Sequence, residues 1–372
     1  MESSYRLFNR PDRFMAGWHW ALPSGQLKPG QVKAVTLLGR ELALYRGKPL
    51  DDRSRNPAGN LAENAPKHLT ETQVVAVDAY CPHMGAHLAE GKVEGCAIRC
   101  LFHNWKFDSQ GRCLEIPALG TPLPAPLQSL KLQTWPTAER YGLIWIWIGD
   151  TTPGPLPTVP ELEGIECDSL LGQRFEHNCH PNVVLLNAID AHHFNTVHHL
   201  PLQIQFDCQE PAPGAIQFNN LTRGGDQSLL IRLIRPFYRQ QVTYSLCYWY
   251  GTVGTVTIGP DFLHFYILFA LRLVEGGKTE GQTVLITPKR RHRLLNWGLL
   301  RLSQQVARYF AKGDTRIFRT IRFNFQTPIR ADQSIIQFIH QTERQPVRLW
   351  KSWESPEELT QESCHERELE RH

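Results

Sequence analysis

The spacing of apolar residues is typical of short strands up to about residue 150 and of a mixture of helices and strands after it. From residue 31 to about 150, short strand-like runs such as QVKAVTLLG and YGLIWIWIGD alternate with Gly, Asn and Pro turns. This pattern is typical of a small antiparallel β domain. The segment TTPGPLPTVPEL, residues 151–162, carries four prolines in twelve residues and predicts a domain boundary.

Beyond that boundary the pattern alternates between helix and strand. The segment VVLLNAIDAHHFNTVHHLP predicts a helix or an irregular helix, and residues 215–288 predict an antiparallel sheet of six or more strands. Residues 295–312 have helical periodicity, and a short helix is predicted to start at Ser355-Pro356-Glu357-Glu358. We therefore expect an α+β protein with two domains, 1–150 and 151–372.

Composition and charge exclude several classes of protein. Of the 372 residues, 41% are hydrophobic and 20% are charged, and the net charge is only +4. No basic run is long enough for a nucleic-acid groove, so no nucleic-acid partner is expected. The densest run, PKRRHR at 288–293, is interpreted as a solvated turn or, alternatively, as a docking patch for an acidic redox partner.

The expected compartment is the cytoplasm. The nine cysteines are scattered and odd in number, which favours a reducing environment over a disulfide framework. The N-terminus lacks the apolar core of a signal peptide. The longest apolar run, FLHFYILFALRLV, is too short to span a bilayer and contains His264 and Arg272, so no transmembrane segment is predicted.

Two Cys–His pairs predict a first metal site. Cys81-x-His83 and Cys100-x-x-His103 are separated by sixteen residues, on two successive loops of the β domain. Zinc is a common partner of such ligands, but zinc fingers usually group Cys with Cys and His with His. Interleaved pairs favour a Rieske-type [2Fe–2S] cluster, in which one iron takes two thiolates and the other takes two imidazoles. Cys96, Cys113 and His87 lie nearby and are interpreted as packing or loop residues.

The whole stretch CPHMGAHL…CLFHNWKFDSQGRCLEIP resembles the Rieske domain of the Rieske non-heme iron oxygenases. In that family the two loops have the spacing C-x-H and C-x-x-H and are followed by an aromatic pair and Ile-Pro. Two loop positions depart from the pattern: Leu101 replaces a frequent Pro, and Asn104 replaces a frequent Gly.

A second motif extends the resemblance into the other half of the chain. The segment from Asn187 to His198 matches N-x-x-D-x-x-H-x-x-x-x-H, which binds the mononuclear iron in this family. The resemblance implies that His193 and His198 are iron ligands, which a local helix break or π-type widening would bring together. His192 and His199 do not fit the motif. Two histidines and one carboxylate leave positions on ferrous iron free for O₂.

The third ligand implied by the family is an aspartate far downstream, often in a Glu-Asp pair ahead of a helical run. The best match is Asp332 in IRADQSIIQF, although the Glu is missing, and Asp314 is the alternative. Asp190 and Asn187 are the predicted catalytic residues. The resemblance places Asp190 between the two metals, where it would accept a hydrogen bond from a cluster histidine and pass electrons to an iron-binding histidine.

The resemblance implies a Rieske domain followed by a helix-grip catalytic domain, assembled as a homotrimer. Electrons would come from NAD(P)H through a separate ferredoxin or flavin reductase. CPHMGAHLAEGKV is most similar to the single-subunit ketosteroid 9α-hydroxylases, cholesterol desaturases and natural-product oxygenases. We therefore expect a monooxygenase that hydroxylates, desaturates or cyclises a sizeable apolar substrate, with strands at 244–275 as candidate pocket walls.

Two other classes remain as alternatives. The first is a stand-alone Rieske electron carrier with a degenerate second domain, which would have lost the mononuclear iron ligands. The second is a zinc protein with a structural role.

Overall fold

The computed structural model describes residues 5–48, 73–119, 123–149, 152–198, 204–220, 242–260 and 263–350. The chain divides into two compact units. One comprises Trp20–Ile148, and the other comprises the segment up to His19 together with the chain from Gly149 onward. The helix predicted at Ser355 lies outside the described residues.

The structure mixes antiparallel sheets with a few helices, as predicted. The strands are β1 (Arg13–Met15), β2 (Gly17–Pro23), β3 (Val32–Leu37), β4 (Arg40–Arg46), β5 (Val74–Asp78), β6 (Lys92–Glu94), β7 (Ala97–Arg99), β8 (Lys106–Phe107), β9 (Cys113–Glu115), β10 (Thr134–Trp135), β11 (Thr137–Arg140), β12 (Leu143–Ile148), β13 (Cys167–His177), β14 (Phe206–Gln209), β15 (Ala215–Asn220), β16 (Val242–Trp249), β17 (Val253–Pro260), β18 (Phe265–Val274), β19 (Lys278–Pro288) and β20 (Val347–Leu349). The helices are α1 (Ala125–Gln128), α2 (Pro181–Leu186), α3 (Ala191–Thr196), α4 (Arg293–Thr320) and α5 (Gln333–Glu343).

The unit Trp20–Ile148 is built from small antiparallel sheets. Four strands pair in the order β10-β5-β4-β3, and four more in the order β6-β7-β8-β9. Their apolar faces share a core that includes the fully buried Tyr45, Leu88, Ile98 and Phe107. The two loops with metal-binding motifs follow strands of these sheets, so the predicted β domain is present and holds both loops.

The other unit contains a seven-stranded antiparallel sheet in the order β13-β19-β18-β17-β16-β15-β14. The predicted antiparallel sheet is present, but only β15 to β19 lie within residues 215–288, where six or more strands were predicted; β13 and β14 come from outside that range, and residues 221–241 lie outside the described residues. Helix α4 packs against β13, β18 and β19, and α5 packs against β14 and β15. Helix α4 extends to Thr320, beyond the predicted end at residue 312. The helix continues through Gly313, because a single glycine destabilises a helix by only about 1 kcal/mol.

The N-terminal segment differs from its predicted assignment. The sequence placed it in the first domain, whereas the residues up to His19 belong to the unit with the seven-stranded sheet. Strand β1 pairs antiparallel with β20, and the ring of Phe8 contacts that of Phe338 edge-on, with centroids 5.6 Å apart. The reason is long-range strand pairing, which leaves no mark on the local sequence.

The described residues contain eight cysteines, all of them free thiols. No helix within the described ranges has both the length and the apolar composition needed to cross a membrane.

Candidate metal centres

Two thiols meet inside the Trp20–Ile148 unit. Cys81 lies in the loop after β5 and Cys100 follows β7; their exposed fractions are 3% and 2%. Burial, together with the adjacent Cys100, raises the pKa of Cys81 to about 11. A bound metal deprotonates such a thiol outright, because the ion compensates the thiolate charge.

Two imidazoles meet at the surface of the same unit. His83 and His103 are exposed, and their ring centroids lie 4.6 Å apart. His83 also stacks on Trp105, with centroids 4.4 Å apart and planes inclined by 10°. Asn104 follows His103 with φ of 58°, a left-handed conformation that Asn tolerates better than most residues. This explains why Asn can occupy a position where many relatives of this pattern have Gly.

The four side chains therefore form a buried thiol pair and an exposed imidazole pair. A tetrahedral zinc site would require all four ligand atoms to surround one point. The four Cys and His side chains do not form such a cluster. Among the described residues, the three ligand atoms that do lie within 4.8 Å of one another belong to His193, His198 and Asp314, in the other unit. Separate pairs of like ligands fit two irons, each bound by one pair, as in a Rieske cluster.

The nearby residues left out of the predicted ligand set have other contacts. The Nδ1 atom of His87 accepts a hydrogen bond from the Ala89 N–H at 3.1 Å, which caps a short helical turn. The Cys113 thiol is buried and donates to the Glu115 carbonyl at 3.9 Å.

The segment with the second motif is a broken helix. Helix α2 ends at Leu186, a 3₁₀ turn covers Asn187–Ile189, and Asp190 is extended at φ −81° and ψ 103°. Helix α3 starts directly afterwards, and the Oδ1 atom of Asp190 accepts hydrogen bonds from the N–H groups of His192 and His193. Asp190 is therefore the N-cap of α3, a position where Asp is favoured. The prediction of an irregular helix is confirmed, and α3 ends at Thr196, between the two histidines, which is the break that lets them approach each other.

Side chains from the sheet and from α5 bind the carbonyl groups around the break. A helix that ends leaves its last carbonyls without intrahelical partners. The Tyr248 hydroxyl donates to the Leu185 carbonyl at 2.6 Å, and the Tyr244 hydroxyl donates to Ala188 at 2.8 Å. The Ser334 hydroxyl donates to the Ile189 carbonyl at 2.8 Å. Burial keeps the pKa of both tyrosines well above 10, so they remain donors.

We expect Tyr248→Phe to lower the free energy of unfolding by about 1 kcal/mol, because it removes one buried hydrogen bond at the broken helix. Chemical denaturation followed by far-UV circular dichroism measures this change. Tyr309→Phe is the matched control, since Tyr309 is 62% exposed. Equal stability of both variants would show that the Tyr248 hydroxyl does not hold the helix in place.

Three ligand atoms converge where α3 faces α4. The Nε2 atoms of His193 and His198 are 3.0 Å apart. The Oδ1 atom of Asp314 lies 2.9 Å from the first nitrogen and 3.2 Å from the second. Ligands that occupy one face of an octahedron with bonds of about 2.1 Å are about 3.0 Å apart. The triangle therefore has the dimensions of a facial ligand set for one divalent metal.

Burial at this triangle also fits a metal. His193 and His198 are 6% and 7% exposed. The Oδ1 atom of Asp314 is buried and makes no hydrogen bond of acceptable geometry, despite its proximity to both imidazoles. A buried carboxylate oxygen without a hydrogen bond is costly unless a cation compensates it. Gly313 permits the approach, because a Cβ atom there would lie 3.0 Å from Val197 and 3.4 Å from the His198 ring.

The aspartate preferred from the sequence, Asp332, does not join the histidines in this structure. Its Oδ2 atom accepts a hydrogen bond from the Ile329 N–H at 2.9 Å, in the short helical turn Arg330–Asp332 that precedes α5. An aspartate ahead of a helical run is also the signature of a helix cap, so the sequence pattern could not separate the two roles. The alternative, Asp314, occupies the position expected of the third ligand.

Asn187 lies beside the triangle. Its Nδ2 atom is 3.0 Å from Nε2 of His193. His192 is exposed at the surface of α3, and His199 lies outside the described residues. The first, third and fourth fixed positions of the motif, Asn187, His193 and His198, are thus adjacent in space near the carboxylate of Asp314.

A cavity of about 150 Å³ opens at this triangle. Its walls are mostly apolar and come from the sheet, from the segment around α2 and from α4. Tyr244, Val256, Ile258, Ile267 and Phe269 belong to the strands predicted as pocket walls, and all five line the cavity. A cavity of this character suits an apolar ligand placed by a few polar groups.

Comparison with known proteins supports the Rieske part of the candidate site. The Rieske [2Fe-2S] domain family matches residues 17–136. Aminopyrrolnitrin oxygenase PrnD of Pseudomonas fluorescens is 30% identical over 203 residues, covering 52% of this chain and 49% of that protein. Cholesterol 7-desaturase nvd of Xenopus laevis is 35% identical over 193 residues, covering 50% of this chain and 37% of that protein.

The solved structure of NdmB from Pseudomonas putida CBB5 shares the fold, with a TM-score of 0.62 at 15% identity over 88% of this chain and 90% of that chain. The chain therefore contains a Rieske [2Fe-2S] domain and is similar, over about half of its length, to an oxygenase and a desaturase. It spans about half or less of the length of the curated relatives it matches.

Proposed function

We propose that the protein is a Rieske-type monooxygenase that oxidises a sizeable apolar organic molecule. The observation that carries this proposal is the triangle of His193, His198 and Asp314 at the wall of an apolar cavity. Bound ferrous iron would supply O₂ activation there. One oxygen atom would enter the substrate and the other would leave as water, with two electrons and two protons supplied.

Two sets of residues in this chain would bind the two metal centres. Cys81 and Cys100 would hold one iron of the [2Fe–2S] cluster, and His83 and His103 would hold the other. In the second site His193, His198 and Asp314 would hold the mononuclear iron. Asn187 would border the iron, since its Nδ2 atom lies 3.0 Å from the His193 Nε2 atom that would bind the metal.

Asp190 would form part of the hydrogen-bonded route along which electrons pass from the cluster to the mononuclear iron. Its Oδ1 atom is occupied by the cap of α3, and the hydrogen bond to the His193 N–H connects it directly to a proposed iron ligand. Within the described residues its Oδ2 atom has no hydrogen-bond partner, which leaves it available to a cluster histidine. In a homotrimer that histidine would belong to a neighbouring subunit, so we include the homotrimer in the proposal.

The substrate class follows from the cavity and from the relatives. The lining strands are apolar and aromatic, and the relatives include an aminopyrrolnitrin oxygenase and a cholesterol 7-desaturase. Hydroxylation, desaturation and cyclisation are all compatible with this cavity. A ferredoxin or flavin reductase would deliver electrons from NAD(P)H, and the free cysteines support a location in the cytoplasm.

The alternative of a Rieske electron carrier with a degenerate second domain is not favoured. That alternative expects the mononuclear ligands to be lost, whereas two histidines and an aspartate meet at the cavity.

A single-turnover screen tests the proposal. Chemically reduced protein is mixed with O₂ and a panel of steroids, terpenoids, aromatics and alkaloids, and products are identified by mass spectrometry. We expect a product that has gained one oxygen atom or one double bond, and none after a chelator has removed the mononuclear iron. Colourless protein that contains zinc but neither iron nor acid-labile sulfide would refute the assignment.

A further inference from the structure

The solvent-facing side of α4 carries large apolar side chains near its N-terminus. Leu294 is 85% exposed, Trp297 is 60% exposed and Leu295 is 51% exposed. The opposite side of the helix is the one that packs, through buried residues such as Asn296, Leu300 and Ser303. Three large apolar groups exposed within one turn are costly in water and mark a surface that meets an apolar partner.

The same side of α4 is cationic along its whole length. Its Lys and Arg residues, all exposed, are Arg293, Arg301, Arg308, Lys312, Arg316 and Arg319. The helix contains one acidic residue, Asp314, which faces the metal-binding triangle instead. The preceding turn adds Arg290 and Arg291, and within the described residues none of these eight cations forms an ion pair with a carboxylate. Lys289 differs, because it pairs with Glu166 at 3.1 Å.

We propose that this face of α4, defined by Arg290, Arg291 and the exposed residues of Arg293–Arg319, docks on the surface of an anionic lipid bilayer. Cations on a helix face with exposed Leu and Trp are the composition of helices that lie in the membrane interface. Anionic lipids attract the arginines, while Leu294, Leu295 and Trp297 enter the headgroup region. An acidic protein would complement the charges but would leave this apolar cluster unexplained.

The position of the metal-site cavity supports the same partner. Arg308 and Ala311 are exposed residues of α4 and also line the cavity. The docking face therefore borders the cavity, so a bilayer bound to α4 would lie next to the apolar pocket. A substrate dissolved in that bilayer would have a short path to the cavity. This inference goes beyond the proposed oxygenase activity and does not depend on it.

Vesicle co-sedimentation of the full-length, cluster-containing protein tests the proposal. The probes are vesicles of pure phosphatidylcholine and vesicles in which about one third is replaced by phosphatidylglycerol, at low and high salt. We expect binding to the anionic vesicles at low salt, with weaker binding at high salt because salt screens the charges.

Two variants separate the charge contribution from the apolar contribution. Arg291→Gln/Arg293→Gln/Arg301→Gln should weaken partitioning by about 100-fold, since each cation near an anionic surface contributes about fivefold. Leu294→Ser/Trp297→Ser should weaken it by about tenfold or more. Lys28→Gln/Lys33→Gln/Lys131→Gln removes three exposed cations of the other unit and should change nothing. An unchanged far-UV circular dichroism spectrum and thermal unfolding midpoint show that each variant is folded.

Several outcomes would overturn the proposal. One is wild-type protein that stays in the supernatant with anionic vesicles, and another is equal binding by the docking-face variants and the lysine control. If the docking face instead serves an acidic redox protein, the wild type will bind an acidic ferredoxin but not the vesicles. The arginine variant will then lose ferredoxin binding. A face that serves self-association would show as a lower oligomeric state of the Leu294→Ser/Trp297→Ser variant in sedimentation velocity.

Discussion

Asp314→Ala should remove the mononuclear iron while the visible spectrum of the [2Fe–2S] cluster persists. The Oδ1 atom of Asp314 is 2.9 Å from His193 Nε2 and 3.2 Å from His198 Nε2, so its loss leaves two ligands of a three-ligand face. Iron should fall by one atom per chain, and product formation should fall by at least about 100-fold, since the remaining pair cannot hold ferrous iron in a facial set. Metal analysis, absorbance spectra and single-turnover yield measure the three effects.

Asp332→Ala is the matched control for this prediction. Asp332 was the aspartate favoured by the sequence pattern, and its carboxylate caps the turn before α5. We expect its replacement to lower stability by about 1 kcal/mol and to leave iron content unchanged. Retained iron in Asp314→Ala together with lost iron in Asp332→Ala would reverse the assignment of the third ligand.

Asp190→Asn should leave both metals bound and reduce turnover by about 100-fold. An asparagine side chain can still accept the hydrogen bonds from His192 and His193 that cap α3, because Asn and Asp are equally good caps. The substitution removes the negative charge proposed to connect a cluster histidine with His193. Reoxidation of the reduced cluster by O₂ in the presence of substrate, followed by stopped-flow absorbance, measures the electron route directly.

Asp190→Ala distinguishes the proposed role of Asp190 in electron transfer from its role as the N-cap of α3. It removes the charge and the hydrogen-bond acceptor together, so we expect an additional loss of about 1 kcal/mol in the free energy of unfolding. If Asp190→Asn reoxidises its cluster as fast as the wild type, the electrons do not pass through this residue. Iron content must be the same as in the wild type for that conclusion to hold.

The local motifs determined the chemistry of the protein. Cys81 and His83 lie on one loop of the small β unit, and Cys100 and His103 lie on another. Because the residues of each pair are close along the chain, the sequence spacing alone was enough to predict that they lie together. The segment from Asn187 to His198 is also local: α3 starts after Asp190 and ends at Thr196, so His193 and His198 can turn toward one point. The apolar runs at 244–275 were likewise predicted as strands and as candidate pocket walls.

Only the tertiary structure decided which carboxylate joins the histidines. Asp314 lies in the middle of α4, where no local signal distinguishes a ligand from a solvated helix residue, whereas Asp332 has the pattern of a helix cap. The choice depends on how α4 packs against the sheet and on the missing side chain at Gly313. The pairing of β1 with β20 was hidden for the same reason, because contacts between distant segments arise from packing and not from local periodicity. The sequence by itself determined the two kinds of metal-binding motif, and the fold determined that Asp314 lies beside His193 and His198 at the wall of an apolar cavity.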